Sequence, residues 1–392
     1  MTTDFLSLAK ALEPVMIERR RDFHRHPELG FQEVRTAGIV ANELNQLGLE
    51  VRTGVGRTGV VALLEGDQPG PTILLRFDMD ALPITEANAT DYVSQTPGVM
   101  HACGHDGHTT IGLAVAKMLT PLRSQIAGTL KFVFQPAEEG LGGAKAMVGD
   151  GVMEGPAPER SLALHVWNDK PLGWVAATDG PCMAASNRFT ITLRGKGGHG
   201  ASPYQTIDPV LASAQIITAV QSIVSRNVNA LDSAVISVTA VNAGEAFNVI
   251  PSSAVLRGTM RTFRHEVRDL IVRRFTQVVA GVAGAMGCQA EIDIQTISPA
   301  VINDATMSAQ VRELAQAVPG VTNVVSDERT MGSEDMAEMM EAVPGCYFFV
   351  GSADPARGLD FPHHHPRFDF DERVLALSAA LMAGAAARYV IK

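Results

Sequence analysis

Several short runs of this chain are apolar almost without interruption, and each ends on a polar or ionisable group. Val60-Val61-Ala62-Leu63-Leu64 is one, and residues 72–77 form a second that runs straight into Asp78-Met79-Asp80-Ala81-Leu82-Pro83. Residues 129–134 deliver Gln135-Pro136-Ala137-Glu138-Glu139, and Leu162-Ala163-Leu164 delivers His165. A strand that is apolar on both sides has to be covered on both sides. Alternating with helical patterns, such strands predict an α/β fold with a mostly parallel sheet and helices on both faces. Polar groups beyond the strand ends are where such a sheet places its site. Asp78 and Asp80 stand two residues apart on a predicted strand, so both side chains are expected on one side of it.

The helical pattern is equally local. A first amphipathic helix is expected to run to about Phe23 and to end as the chain meets Pro27 in His24-Arg25-His26-Pro27-Glu28-Leu29-Gly30. Thr36 is expected to cap a second, with Ile39, Val40, Leu44 and Leu47 at helical spacing and Gly48 behind them. A third spans 108–119 and stops at Pro121. Near Ser186 the pattern changes. Strand 188–193, helix 208–225, strands 234–240 and 254–262, helix 264–286 and strand 289–294 read as βαββαβ, a ferredoxin-like α+β unit complete in itself. The expected organisation is a discontinuous domain of residues 1–185 and 298–392, interrupted by an inserted lid domain at 186–297. Helix 306–317, strand 347–350 and a long Ala-rich helix over 371–389 resume the first pattern.

At 392 residues and 46% hydrophobic, the chain is long enough for two domains with sizeable cores. A net charge of -10 argues against a nucleic-acid groove, which needs clustered cations. Arg19-Arg20-Arg21 is balanced by nearby acids and reads as a solvated helix face. Cys103, Cys182, Cys288 and Cys346 lack paired spacings, as expected of reduced thiols in the cytoplasm. The first residues carry no secretory pattern, and no stretch is expected to cross a bilayer.

Chemistry concentrates in Met100-His101-Ala102-Cys103-Gly104-His105-Asp106-Gly107-His108, one turn of chain holding a thiol, imidazoles and an acid. Thiolate, imidazole and carboxylate together suit zinc or a similar first-row ion, whereas calcium and magnesium prefer oxygen shells. Cys103, His105, Glu139, His165 and one histidine of His363-His364-His365 supply five such ligands at the ends of apolar runs. Five exceed one closed tetrahedral site and fit two neighbouring ions with an open position. Of the adjacent acids Glu138 and Glu139, one then serves as ligand and the other as general base toward metal-bound water. Neither glycine cluster, 140–143 or 195–200, spells a phosphate loop, and no G-x-S-x-G elbow appears.

Seven segments in order carry a resemblance: Asp78-Met79-Asp80-Ala81-Leu82-Pro83-Ile84, His101-Ala102-Cys103-Gly104-His105-Asp106, Gln135-Pro136-Ala137-Glu138-Glu139, Gly197-Gly198-His199-Gly200-Ala201, Asn248-Val249-Ile250-Pro251, Met331-Gly332-Ser333-Glu334-Asp335 and His364-His365-Pro366-Arg367-Phe368. From His24 to Phe370 the chain resembles the metallo-amidohydrolases that include hippurate hydrolases, N-acyl-amino-acid amidohydrolases (aminoacylases) and auxin-conjugate hydrolases, relatives of dinuclear zinc carboxypeptidases. The resemblance implies two divalent transition ions per chain (zinc, manganese, cobalt or nickel) and hydrolysis of an amide joining an acyl group to an amino acid. It implies Cys103, His105, Glu139, His165 and His364 as ligands, with His363 the alternative, and Glu138 as general base. Asp80 matches an acid that orients a ligand, His199 a lid histidine that contacts the substrate carbonyl, and Asn248 and Arg261 positions that engage substrate. It further implies a homodimer paired through the lids, in which the histidine reaches the partner's site. A dipeptidase or carboxypeptidase of the same mechanism is the close alternative, and a non-catalytic metal- or amino-acid-binding protein the distant one. Glu138 and His199, which have no binding duty, favour the enzyme.

Overall fold

The structure, a computed structural model, describes residues 3–391. In chain order it opens with α1 (Phe5–Arg25), α2 (Val34–Gln46), β1 (Glu50–Val55), β2 (Gly59–Glu65), β3 (Gln68–Asp78), α3 (His105–Leu119) and β4 (Ala127–Gln135). Then follow α4 (Gly143–Gly149), β5 (Arg160–Pro171), β6 (Trp174–Ala176), β7 (Gly180–Met183), β8 (Ala185–Arg194), β9 (Gly198–His199), α5 (Pro209–Asn227) and β10 (Ala234–Asn242). The rest is β11 (Val249–Ile250), β12 (Ser253–Thr262), α6 (His265–Ala285), β13 (Gln289–Ser298), β14 (Val301–Asn303), α7 (Ala305–Ala317), β15 (Asn323–Val325), α8 (Ala337–Met340), β16 (Gly345–Ala353) and α9 (Arg373–Val390). Two compact units result. One comprises the described residues up to Cys182, Ile302–Arg329 and the described residues from Asp335 on; the other comprises Met183–Val301 and Thr330–Glu334.

The first unit is built on an eight-stranded sheet of order β1-β2-β4-β3-β5-β16-β6-β15. Its centre, β4, β3, β5 and β16, is parallel, while β1 with β2, β2 with β4, and β16 with β6 are antiparallel pairs. The central strands are apolar because helices cover them: Ile73, Leu75, Phe132, Phe134, Leu162 and Phe348 are all buried. Helices α1, α3 and α9 pack on one another, and α3 and α9 also lie on the sheet. By length and apolarity α9 would cross a membrane, yet most of it is buried here as the core helix of this unit. Register sets the level of the strand ends, with Phe77 beside Phe134 and Asp78 beside Gln135, and His165 of β5 beside Phe349 of β16.

The second unit carries an antiparallel sheet of order β10-β12-β8-β13, the ferredoxin-like arrangement. Its core joins Phe189, Ile191 and Leu193 of β8 to Ile216, Val220 and Ile223 of α5 and to Ile271, Phe275 and Val279 of α6. A small antiparallel pair, β9 with β11, stands apart from that sheet.

Three local expectations change. Thr36 does not cap α2: Glu33 holds the N-cap position, and the backbone N–H groups of Arg35 and Thr36 donate to the Glu28 carboxylate at 2.9 and 2.8 Å. A capping carboxylate from so far back leaves no Ser/Thr signal at the cap itself. β3 ends at Asp78, so strand alternation is not what places Asp80.

The arginine run is not merely a solvated face. Arg20 is fully buried and donates Nε to Asp106 at 2.9 Å and Nη2 to Asp369 at 2.8 Å. His24 Nδ1 also meets Asp106, at 2.8 Å, and the Tyr92 hydroxyl donates to Asp369 at 2.6 Å. Burial opposes the Arg20 charge, but Asp106 and Asp369 outweigh it and hold the guanidinium well above its usual range. Burial likewise opposes the Asp106 charge, and Arg20 and His24 hold that carboxyl far below the carboxylate range. Breaking such a pair strands a buried charge. Arg20→Ala is therefore expected to destabilise the chain by about 3–5 kcal/mol, read as a lowered urea midpoint; an unchanged midpoint would show that the cluster is not a folding determinant.

Candidate metal centre

Cys103 lies in the turn that opens α3, and His105 is the first residue of that helix. The turn passes tightly against β5: Gly104 sits at φ 94°, and a Cβ there would lie 2.5 Å from Val166 Cγ2. Glycine alone meets both demands. His165 comes from β5, Glu138 and Glu139 from the loop after β4, and His363 and His364 from the loop before α9. Within the first unit these side chains converge. Cys103 Sγ is 3.5 Å from His165 Nε2 and 3.8 Å from His363 Nδ1, and His364 Nε2 is 3.2 Å from Glu139 Oε1. Cys103 with Glu139 and His364, Cys103 with His165 and His363, and His105 with Glu138 and Glu139 each form a set whose donor atoms lie within 4.8 Å of one another. Ala137 and His364 both adopt positive φ, 54° and 66°, on the two loops that bring these donors in.

The hydrogen bonds of each second ring nitrogen set the tautomers. His105 Nδ1 donates to the Asp80 carbonyl at 2.9 Å, and His165 Nδ1 donates to the Val166 carbonyl at 2.6 Å. Both rings thereby turn Nε2 toward the cluster; burial opposes a charge on His105, but Asp78 and Cys103 outweigh it and hold that ring well above its usual range, so a bound ion would have to displace its Nε2 proton. His363 is the reverse case: its Nε2 accepts the Asn168 N–H at 3.1 Å, so the proton sits on Nδ1, the nitrogen that faces Cys103. His108 is fully engaged, with Nε2 accepting the Val166 N–H at 2.9 Å and Nδ1 donating to Asp78 at 2.6 Å. Asp80 Oδ2 accepts the Glu139 N–H at 3.0 Å, so one residue orients both His105 and Glu139.

Negative potential converges on the donors. Desolvation and then the Glu139 charge push the Cys103 thiol up. The Cys103 sulfur and the Glu139 carboxylate push His364 up to about 10. Burial, then His108 and His363, force His165 well below its usual range and keep it neutral. Burial alone would raise Asp78, but His105, His108 and Arg76 outweigh it and hold that carboxyl well below its range.

The donor set fits a pair of divalent transition ions. His105 Nε2 and Glu139 Oε1 are buried and make no aligned hydrogen bond, although such groups are nearly always satisfied. They stand beside a thiol and neutral imidazoles, which are ligand types for zinc and its neighbours. Cys103, His105, Glu139, His165 and His364 would hold the ions.

In the second unit, His199 on β9 pairs with Val249 of β11, and the Gly200 N–H donates to the Asn248 carbonyl at 2.8 Å. His199 and Asn248 are thus neighbours, and both are exposed. The Ala201 N–H donates to His199 Nδ1 at 3.0 Å, which leaves Nε2–H as the outward donor. Arg261 lies elsewhere, on β12, where Nη1 donates to Thr259 Oγ1 and to the Met260 carbonyl rather than to an acid.

Sequence reasoning gave no role to His108, Arg76, Gln135, Asp335 or Glu33. Arg76 donates to Gln135 at 2.8 Å, to Asp78 at 2.6 Å and to Asp335 at 3.2 Å. A charge inside the apolar run 72–77 was its visible signal, since a buried cation requires partners.

An interrupted α/β unit with thiolate, imidazole and carboxylate donors at its strand ends is the architecture of a metal-dependent hydrolase. The chain belongs to peptidase family M20/M25/M40, whose profile matches residues 74–388. It is 44% identical over 375 residues to YhaA of Bacillus subtilis, covering 95% of this chain and 94% of that one. It is 39% identical to the N-acetylcysteine deacetylase of the same organism (95% and 96% covered) and 37% identical to thermostable carboxypeptidase 2 of Saccharolobus solfataricus (94% and 94%). The crystal structure of the Bacillus subtilis YXEP protein, a dinuclear metal-binding peptidase of the M20 family, superposes with a TM-score of 0.84 at 35% identity, over 96% of this chain and 98% of that one. The protein is accordingly a metal-dependent amidohydrolase, acting on amide bonds.

Ring tautomers separate two adjacent histidines experimentally. His364→Ala is expected to lower bound metal, whereas His363→Ala retains it; elemental analysis of the two purified variants decides, and metal loss in His363→Ala alone would reverse the assignment.

Proposed function

We propose that this enzyme hydrolyses N-acyl amino acids, releasing a carboxylic acid and an amino acid. The observation that carries the reading is the pair of buried donors that make no aligned hydrogen bond, His105 Nε2 and Glu139 Oε1, with the Glu138 carboxylate grouped beside them. The similarity to a deacetylase of N-acetylcysteine supports the substrate class. When bound, a pair of divalent ions supplies Lewis-acid polarisation of the scissile carbonyl and lowers the pKa of water. The chain's own residues do the rest. Glu138 accepts a proton from the attacking water on a carboxylate oxygen and passes it to the leaving nitrogen. Asp80 holds the Glu139 backbone and the His105 ring, so ligand and base enter in fixed register. His199, with Nε2–H outward, donates to the carbonyl oxygen as its charge develops. Asn248 and Arg261 engage the remainder of the substrate, the half-buried Arg261 cation suiting its carboxylate. Its four cysteines form no disulfide among the described residues, which suits a reducing cytoplasm, where we place the reaction.

Glu138→Gln should keep its metal and lose on the order of a hundredfold or more in turnover, while Glu139→Gln should lose metal. Equal metal loss in both variants would leave neither residue free to act as base. A panel of N-acetyl, N-benzoyl and longer N-acyl amino acids against dipeptides, with zinc, manganese, cobalt and nickel in turn, tests the substrate class. Turnover of dipeptides alone would replace the reading with a dipeptidase or carboxypeptidase, and full activity in verified metal-free protein would end it.

The second unit serves, on this reading, as a lid that also pairs two copies of the chain. Its outer strands β10 and β13 are edges of the four-stranded sheet, open to strand addition. His199 then acts at the site of the partner. Glu138→Gln and His199→Ala homodimers should each be nearly inactive, and subunit exchange should restore about a quarter of wild-type activity, because about half the dimers are mixed and each holds one intact site. No recovery after proven exchange would place His199 in its own chain's site or outside catalysis.

A further inference from the structure

We infer that Glu33 is a positioning residue for the catalytic glutamates, reaching across the first unit to fix the backbone from which Glu138 and Glu139 project. This rests on the roles proposed above for those two residues. Glu33 stands at the N-cap of α2, where an acid ordinarily turns back to accept from its own helix, but its side chain makes no such bond. Glu28 takes over the capping through the Arg35 and Thr36 N–H groups, which leaves the Glu33 carboxylate for other partners. That carboxylate is fully buried, and Oε1 accepts the Ala137 N–H at 2.8 Å while Oε2 accepts the Thr58 hydroxyl at 2.5 Å.

Ala137 is the residue before the glutamate pair, and its φ of 54° is one that a residue with a Cβ rarely adopts. The turn keeps that conformation because both sides of the residue are held. Its N–H goes to Glu33, and its carbonyl accepts the Gly143 N–H at 3.0 Å. Gly30 packs so closely on it that a Cβ there would lie 3.0 Å from Ala137 Cα and 2.8 Å from Leu141 Cδ1. Further along, Asp80 holds the Glu139 N–H and Asp335 holds the Ala144 N–H at 2.9 Å. Glu33 is therefore the fastening on the side where the chain enters the turn, and the segment 27–33, whose Glu28 carbonyl also accepts the Ala81 N–H at 2.9 Å, supplies it together with Gly30 and the substitute cap Glu28. Losing this fastening lets the backbone at Ala137 relax and so displaces Glu138 relative to Glu139, whose N–H stays tied to Asp80.

The test compares metal-loaded Glu33→Leu, Glu33→Gln and Thr58→Val with wild type by kcat, KM, metal content and hydrogen exchange across residues 136–144. Glu33→Leu keeps the volume and removes the acceptor. It should lower kcat on the order of a hundredfold with KM little changed and metal retained, and should speed exchange in that segment, since a displacement of about 1 Å is enough for such a loss. Glu33→Gln keeps a carbonyl oxygen for Ala137 and should recover most of the turnover. Thr58→Val removes only the other partner and should keep wild-type kcat. Wild-type kcat in folded Glu33→Leu, no rescue by Gln, or an equal loss in Thr58→Val would each overturn the inference. Should Glu33→Leu fail to fold, Gly30→Ala presses directly on Ala137, and unchanged kcat and exchange in that variant would overturn it as well. Glu138→Gln measured alongside separates the two readings. Retained turnover there would sink the role of Glu138, whereas its loss beside a fully active Glu33→Leu would sink only this inference.

Discussion

A single buried carboxylate, Asp78, ties together the elements on which the site depends. It accepts from Arg76 Nη1 and from His108 Nδ1, both at 2.6 Å, so the end of β3 is joined to the first turn of α3. His108 passes the connection to β5 through the Val166 N–H, the residue beside His165. Arg76 passes it to β4 and to the segment before α8, through Gln135 and Asp335. An isolated ion in such an interior would be costly, and a cation flanked by two acids with a neutral imidazole is how the cost is offset. Strand ends that register alone would leave merely level become fixed relative to one another by these bonds.

The first turn of α3 is held from three sides as a consequence. His105 is bound to the Asp80 carbonyl, Asp106 to Arg20 and His24, and His108 to Asp78. Those partners come from β3 and its extension and from α1, so the helix cannot rotate about its axis without breaking charge-assisted bonds in a dry interior. The ring of His105 is therefore fixed by the fold itself. Preorganisation of this kind makes a site selective, because a ligand that must first be ordered costs affinity.

How much of this was legible in the sequence follows from range of interaction. Apolar runs and helical spacing are local, so the α/β fold and the βαββαβ order could be read directly, whereas nothing local signals that Thr330–Glu334 joins the second unit. That Cys103, His105, Glu139 and His165 are candidates for one site could also be read, because each follows an apolar run or sits in a dense polar one, and the structure brings them together. The links among them could not. Glu33 and Ala137 are 104 residues apart, Arg76 and Asp335 are 259 apart, and Arg20 and Asp369 are 349 apart. Arg20 was misread for that reason, since its neighbours in sequence are balanced by local acids while its partners are distant. Thr36 failed as a cap because the acceptor came from Glu28, outside the usual spacing. Minor strands such as β6 and β15, three residues each, are too short to leave a periodic signal.

Proximity alone does not say which imidazoles belong to the donor set. The rings of His105, His108, His165 and His363 crowd together, with centroids 4.5 Å apart for His108 and His165 and 5.0 Å for His165 and His363. Each neutral ring has one lone pair, and the partner of its other nitrogen decides where that lone pair points. Backbone carbonyls at Asp80 and Val166 take the Nδ1 protons of His105 and His165 and turn their Nε2 atoms inward. Backbone N–H groups at Val166 and Asn168 occupy Nε2 of His108 and His363, which removes the first from the set and leaves the second presenting a proton. Four histidines in nearly the same place thus divide into two that can coordinate and two that hold the frame. The division is made by main-chain groups, whose positions follow from the fold and not from the motif.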